Sequence, residues 1–257
     1  MFSRSTIAWL GLALMVVSLI WFELLPPLPR LPRARLPSAK SGPLSLVIID
    51  AGHGGDDSGT MRNGVMEKDL TLDVARRVER LARMQGLSTM MTRESDARKT
   101  LPERAALANK QDDGIFVSIH FDEGARTEAT GVQTFYAVHQ MPKSIFPSWL
   151  RFLEATGATP ENLASQSLAG FVQEALVRRT HAFDRGTRAE QFYVVANVRH
   201  PAVLVEAGFL TNHDDLTKIA TDEYREQLAA AITDGLVHYR EIANQQKTLA
   251  LSAAGPE

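Results

Sequence analysis

Three short apolar runs set the limits on what this chain can become: LSLVII at 44–49, IFVSI at 115–119 and AVLV at 202–205. They are rich in β-branched residues, and each runs directly into a polar residue. The first meets Asp50 and the glycine-rich AGHGGDDSG, the second meets His120 and the third Glu206. Continuous apolar runs of this length read as strands buried on both faces. Further strands are expected at 87–92, 131–138 and 192–195. Helical patterns lie between them. Apolar residues at 70, 74, 78 and 81 predict a helix over 67–85, stopped at Gly86. Thr100 and Glu103 have capping-box spacing and open a helix to about 110. Two more are expected over 161–180 and from Thr221 to about 243. Strands alternating with helices predict an α/β fold: three layers, with a mixed, mostly parallel twisted sheet between helices on both faces. The expected folded domain is 44–245, followed by a frayed tail at 246–257. One stretch breaks the rhythm. Residues 139–160 carry Pro142, Pro147 and Pro160 around an apolar patch, and read as an insertion with one short helix.

Composition narrows the function classes. The 257 residues include no cysteine, which excludes a disulfide scaffold, a thiolate metal site and a cysteine nucleophile. The net charge of −2 conceals a gradient. Residues 1–43 set five basic residues against Glu23, whereas the remainder holds 23 basic and 29 acidic residues. An acidic body argues against nucleic acid, whose binding rests on phosphate neutralisation. Within the basic N-terminal portion, residues 7–22 carry no charge. That length lies between a signal-peptide core (~7–15 residues) and a spanning helix (~17–25). Residues 1–25 are read as a signal anchor, with a cleaved signal peptide as the alternative. Six prolines then make 26–43 an extended linker.

The chemistry-bearing residues gather at strand ends, where open α/β sheets build their sites. His53 follows the first strand, His120 and Glu206 close two others, and Glu67 opens a helix. Two histidines and a carboxylate make a catalytic zinc set that keeps a position for water. A second carboxylate that is not a ligand can act on that water as general base. Each residue also has a plainer reading. His53 would serve as a loop residue bonded to backbone, and Glu67 as an acid favoured by the helix dipole. Glu206 is harder to explain plainly, because five apolar residues precede it and an unpaired buried carboxylate is costly. Gly52, Gly54, Gly55 and Gly59 let the chain turn around His53. No GK[ST] follows them, so a nucleotide phosphate loop is not expected.

Five motifs in order resemble those of the zinc-dependent N-acetylmuramoyl-L-alanine amidases of bacterial cell walls. They are VIIDAGHGGDDSG (47–59), EKDL (67–70), MTRESD with LPERAALAN (91–96 and 101–109), FVSIHFD (116–122) and PAVLVEAGFLTN (201–212). The resemblance spans about 46–240. It implies zinc bound by His53, Glu67 and His120, with Glu206 as catalytic acid/base. It also implies hydrolysis of the amide between the lactyl group of N-acetylmuramic acid and L-alanine of the peptidoglycan stem. That activity places the domain outside the cytoplasm, periplasmic or extracytoplasmic, held to the inner membrane through 7–25 or secreted after cleavage. The positive-inside count points the other way and is set aside for the activity.

Several readings stay open. Asp50 is either an acceptor orienting a ligand histidine or a strand-end turn residue. Arg93 and Arg104 match family positions or form structural ion pairs. Phe121 stands where a small residue is expected and would reshape the substrate groove. The remaining histidines match no ligand motif. Residues 139–160 are either a surface helix or an apolar lid over the metal, relieved by an activator protein. A catalytically silent peptidoglycan- or partner-binding member is the alternative function, and a zinc peptidase cutting another amide is a second. Activity with a chelator control separates the first, and product analysis the second.

Overall fold

A computed structural model describes residues 44–140 and 162–253. The expected membrane segment, the linker and most of the insertion lie outside the described residues. Among the described residues no helix is long and apolar enough to cross a membrane.

The sheet has six strands. β1 (Leu46–Ala51), β4 (Ser88–Met91), β5 (Ile115–Asp122), β6 (Val132–Tyr136), β7 (Asp184–Ala189) and β8 (Ala202–Phe209) lie in the order β4-β1-β5-β8-β6-β7. β4, β1, β5 and β8 run parallel, whereas β6 is antiparallel to β8 and parallel to β7. β2 (Met61–Arg62) and β3 (Val65–Met66) form a separate small hairpin.

The alternation of side chains along the central strands sorts two unequal layers. Val47, Ile49 and Ala51 of β1, Val117, Ile119 and Phe121 of β5, and Val203, Val205 and Ala207 of β8 share one core. That core is closed by the long helices α1 (Glu67–Met84), α3 (Leu163–Thr180) and α6 (Asp222–Ala253). Leu70, Val74, Val78 and Ala82 of α1 face it, the four-residue spacing of a helix stripe. The opposite face carries Ile48, Phe116 and Leu204. Among the described residues α2 (Leu101–Asn109) and α4 (Tyr193–Ala196) cover it, and a short α5 (His213–Ile219) follows β8. At the C-terminal ends of the parallel strands, Asp50, Ser118, His120 and Glu206 alternate onto that same face.

The expected capping box is present. Thr100 accepts from the Glu103 amide, and the Glu103 carboxylate accepts from the Thr100 amide at 2.8 Å. Asn162 caps α3 through the Ser165 amide.

Several boundaries differ from the sequence reading. Residues 193–196, expected in a strand over 192–195, form α4. Val194 and Val195 are buried against the thin face, so their β-branched side chains serve packing rather than a ladder. β7 carries no apolar alternation and is not foreseen by the sequence reading; among the described residues it is an edge strand paired with β6. Both β5 and β8 extend beyond their apolar runs, so His120 and Glu206 lie within strands rather than after them. α6 continues to Ala253, past the end expected near 243 and into the tail read as frayed.

Candidate active site

Four segments converge at the open end of the sheet. The loop after β1 presents His53, which takes a left-handed φ of 59°. The first residue of α1 is Glu67, buried at 3 % exposure. β5 brings His120, and β8 brings Glu206 into direct register with it.

Glu67 is the hub. Its Oε1 lies 3.0 Å from His53 Nε2 and 3.1 Å from His120 Nδ1. The same oxygen accepts from the Phe121 amide at 3.1 Å, and Oε2 accepts from the Thr60 amide at 2.9 Å. Burial would push this carboxyl up, but hydrogen bonds and charge from His120 and His53 outweigh it and hold the group well below the ordinary carboxylate range. His53 moves the other way. Burial lowers its pKa, yet Glu67 and Asp57 together raise it above 6.5. One ligand atom from each of His53, Glu67 and His120 lies within 4.8 Å of the others, and this is the only such group found among the described residues. Two imidazoles and a carboxylate at this spacing fit a divalent ion of the zinc type.

Glycine is required where the backbone passes these rings. A Cβ at Gly52 would lie 2.3 Å from His120 Cε1. At Gly59, whose φ is 62°, it would lie 2.5 Å from Glu67 Oε2 and 2.7 Å from His53 Cδ2.

The loop is clamped from behind. Arg104 reaches Asp50 Oδ1 at 2.7 Å, and donates to the carbonyls of Ala51 at 2.5 Å and His53 at 2.6 Å. Arg93 donates to the carbonyls of Ala51, Gly52 and Lys68 at 2.8–2.9 Å. Asp50 also accepts from Thr92 at 2.5 Å and Ser118 at 2.8 Å. Asp50 therefore touches no histidine. It anchors Arg104, and both arginines fix the loop's backbone, Arg104 from the wall of the cleft beside His53. The acceptor for a histidine is Asp57, which sequence reasoning missed. Its Oδ1 lies 2.9 Å from His53 Nδ1 and also accepts from the Gly59 amide. The signal was present four residues after His53, within the glycine loop.

Phe121 does not reach the groove either. It is 2 % exposed and packs into the core beneath the long helices, because strand alternation turns it away from His120. The histidines outside the motifs stay apart from the cluster: His200 is bonded to the Ala108 carbonyl, His181 caps α3 and His238 packs on Phe171.

Glu206 is not satisfied in this way. Its Oε2 is shut off from solvent and has no hydrogen-bond partner. Burial, followed by the charges of Glu67 and Asp122, pushes its carboxyl well above the ordinary value of 4.5. A cleft of about 220 Å³ opens against His53 and His120 and runs past Asp57, Arg98, Thr100 and Arg104.

The fold and this cluster define an α/β domain that presents a possible metal centre beside an orphaned carboxyl. The model of the N-acetylmuramoyl-L-alanine amidase family designated Amidase_3 matches residues 47–238, and the chain belongs to that family. It is 29 % identical over 232 residues to the N-acetylmuramoyl-L-alanine amidase AmiA of Escherichia coli, covering 81 % of this chain and 80 % of that one. The amidase AmiC2 of Nostoc punctiforme superposes with a TM-score of 0.66 at 30 % identity, over 78 % of this chain and 98 % of the other. The CwlD amidase of Clostridioides difficile, solved in complex with the GerS lipoprotein, gives 0.64 at 27 % identity, over 77 % and 99 %.

Proposed function

We propose that the chain hydrolyses the amide joining the lactyl group of N-acetylmuramic acid to L-alanine of the peptidoglycan stem, with zinc held by His53, Glu67 and His120 and with Glu206 as the proton carrier. The observation that carries this reading is Glu206. One oxygen of its carboxyl is shut off from solvent without a partner, which costs stability, and it stands in register beside a His–Glu–His cluster. Membership of the amidase family supports the same bond. Zinc bound there supplies Lewis acidity to the scissile carbonyl and to the attacking water.

The remaining steps belong to the chain. Asp57 holds His53 so that Nε2 points inward. The amides of Thr60 and Phe121 fix the Glu67 carboxylate. Glu206 takes a proton from the attacking water and returns it to the alanine nitrogen, which leaves only when protonated. A carboxyl raised by burial passes protons both ways more readily near neutral pH than an exposed one. Glu206→Gln tests the assignment: zinc content is retained and turnover is lost. His120→Ala loses both.

This activity acts outside the cytoplasm. We place the domain in the periplasm or at the outer surface, tethered through 26–43 to an anchor at 7–25 or released by cleavage. Peptidoglycan is the substrate partner. An activator protein would act on 139–160; one similar amidase, CwlD, was solved in complex with another protein, the GerS lipoprotein. Deleting 142–158 then raises basal activity, and a folded deletion with level or lower activity removes the lid.

A further inference from the structure

Besides Glu206 Oε2, one buried side-chain atom among the described residues has no partner: Arg185 Nε. Arg185 lies near the start of β7, at the same end of the sheet as Glu206. The register leads to it stepwise. Gln133 of β6 pairs with Glu206, and the Gln133 side chain donates to the Arg185 carbonyl at 3.2 Å. The half-buried guanidinium reaches back over the Phe209 ring of β8, 4.8 Å from its centroid. Its hydrogen bond to the Thr130 carbonyl is long, 3.4 Å, and it forms no close ion pair among the described residues, though it lies within electrostatic reach of the Asp122 carboxylate. It is a half-buried cation held in place with its Nε unpartnered.

The polarity of the scissile bond says what passes over it. The proposed ligands His53 and His120 sit in the loop after β1 and on β5, so the carbonyl carbon lies there. The leaving nitrogen lies toward Glu206 on β8. The stem peptide therefore continues from β8 toward β6 and β7. Two strand spacings are about 10 Å, and extended peptide advances about 3.4 Å per residue. Because the guanidinium folds back to Phe209, the first stem residues after L-alanine come within its reach. Arginine's planar fork matches a carboxylate in a two-pronged contact.

We propose that Arg185 is a substrate-recognition residue that binds the free carboxylate of the stem residue following L-alanine. The proposal rests on the amidase reading for its direction, and the test separates the two. The full chain is offered N-acetylmuramoyl peptides whose second stem residue carries either a free α-carboxylate or its carboxamide. Turnover is measured on the zinc-loaded chain, and binding by calorimetry on Glu206→Gln. The free acid should be preferred about tenfold or more in kcat/KM and in Kd. Arg185→Gln should abolish that preference while leaving the carboxamide's constants nearly unchanged, and Arg185→Lys should keep part of it. Equal losses on both peptides, or a wild-type chain indifferent to the carboxylate, overturn the proposal. Acid-selective binding without cleavage keeps the subsite and refutes the amidase reading; cleavage without selectivity does the reverse.

Discussion

Gly52→Ala is the substitution with the most sharply defined expected cost. Gly52 does not need a left-handed backbone, so alanine is conformationally acceptable there. The difficulty is its Cβ, which would stand 2.3 Å from His120 Cε1 and 2.6 Å from both ring nitrogens. Ordinary contact begins near 3.4 Å, so something must retreat by about 1 Å. The loop cannot. The Gly52 amide donates to the Ile119 carbonyl at 3.0 Å, and its own carbonyl accepts from Thr71 and Arg93 at 2.8 Å. The imidazole must move instead. Metal sites tolerate ligand displacements of only about 0.2 Å. Loss of an outer-shell contact alone costs roughly 10–100-fold in metal affinity. Displacing a ligand itself should therefore weaken zinc by at least about 100-fold, or ~2.7 kcal/mol. Competition against a chromogenic chelator reads the affinity, and thermal melting of metal-free and zinc-loaded chains shows whether the fold survives. The expected result is a folded variant that has lost most of the zinc-induced rise in Tm. A folded Gly52→Ala chain with wild-type zinc affinity would refute the placement of His120 in the site.

Other expectations follow from the same contacts. Glu206→Gln should lower kcat about 10²–10⁴-fold, the range of general acid–base catalysis, with zinc stoichiometry unchanged by elemental analysis. Asp57→Ala should weaken zinc about 10–100-fold by removing the acceptor that orients His53, measured by the same chelator competition. Asp50→Ala strands buried Arg104 and should cost about 3–5 kcal/mol in urea unfolding. In the metal-free chain, Glu67 is held below its ordinary 4.5 by His120 and His53 despite burial. A depressed carboxyl stabilises the fold above its unfolded value and loses that contribution as pH falls through the folded one. The metal-free Tm should therefore decline below about pH 4.5, and Glu67→Gln should flatten that decline.

The central strands were readable because burial on both faces forces continuous apolar runs, and the candidate site residues His120 and Glu206 stood out because those runs stop abruptly at them. The capping box at Thr100 was readable because its chemistry is local. What escaped notice was decided by tertiary placement. β7, with sequence DRGTRA, is a largely exposed edge strand whose partner is 50 residues away, so no core face imposes alternation on it. YVVA at 193–196 has strand composition, but its valines cap the thin layer as one helical turn. Phe121 looked like a groove residue because it adjoins His120, yet the period of two sends it to the opposite core. Asp50 and Asp57 both flank the histidine loop, and only the backbone path at His53 decides which of them the imidazole meets.

Treatment of purified sacculi with the full chain, with and without a chelator, tests the central claim most directly. The products are examined for stem peptides bearing a free L-alanine amine and for glycan stripped of peptide. The account predicts both products, their loss with the chelator and their return with added zinc. Release that ignores the chelator, cleavage at a different bond, or a zinc-free chain that still releases these products would contradict it.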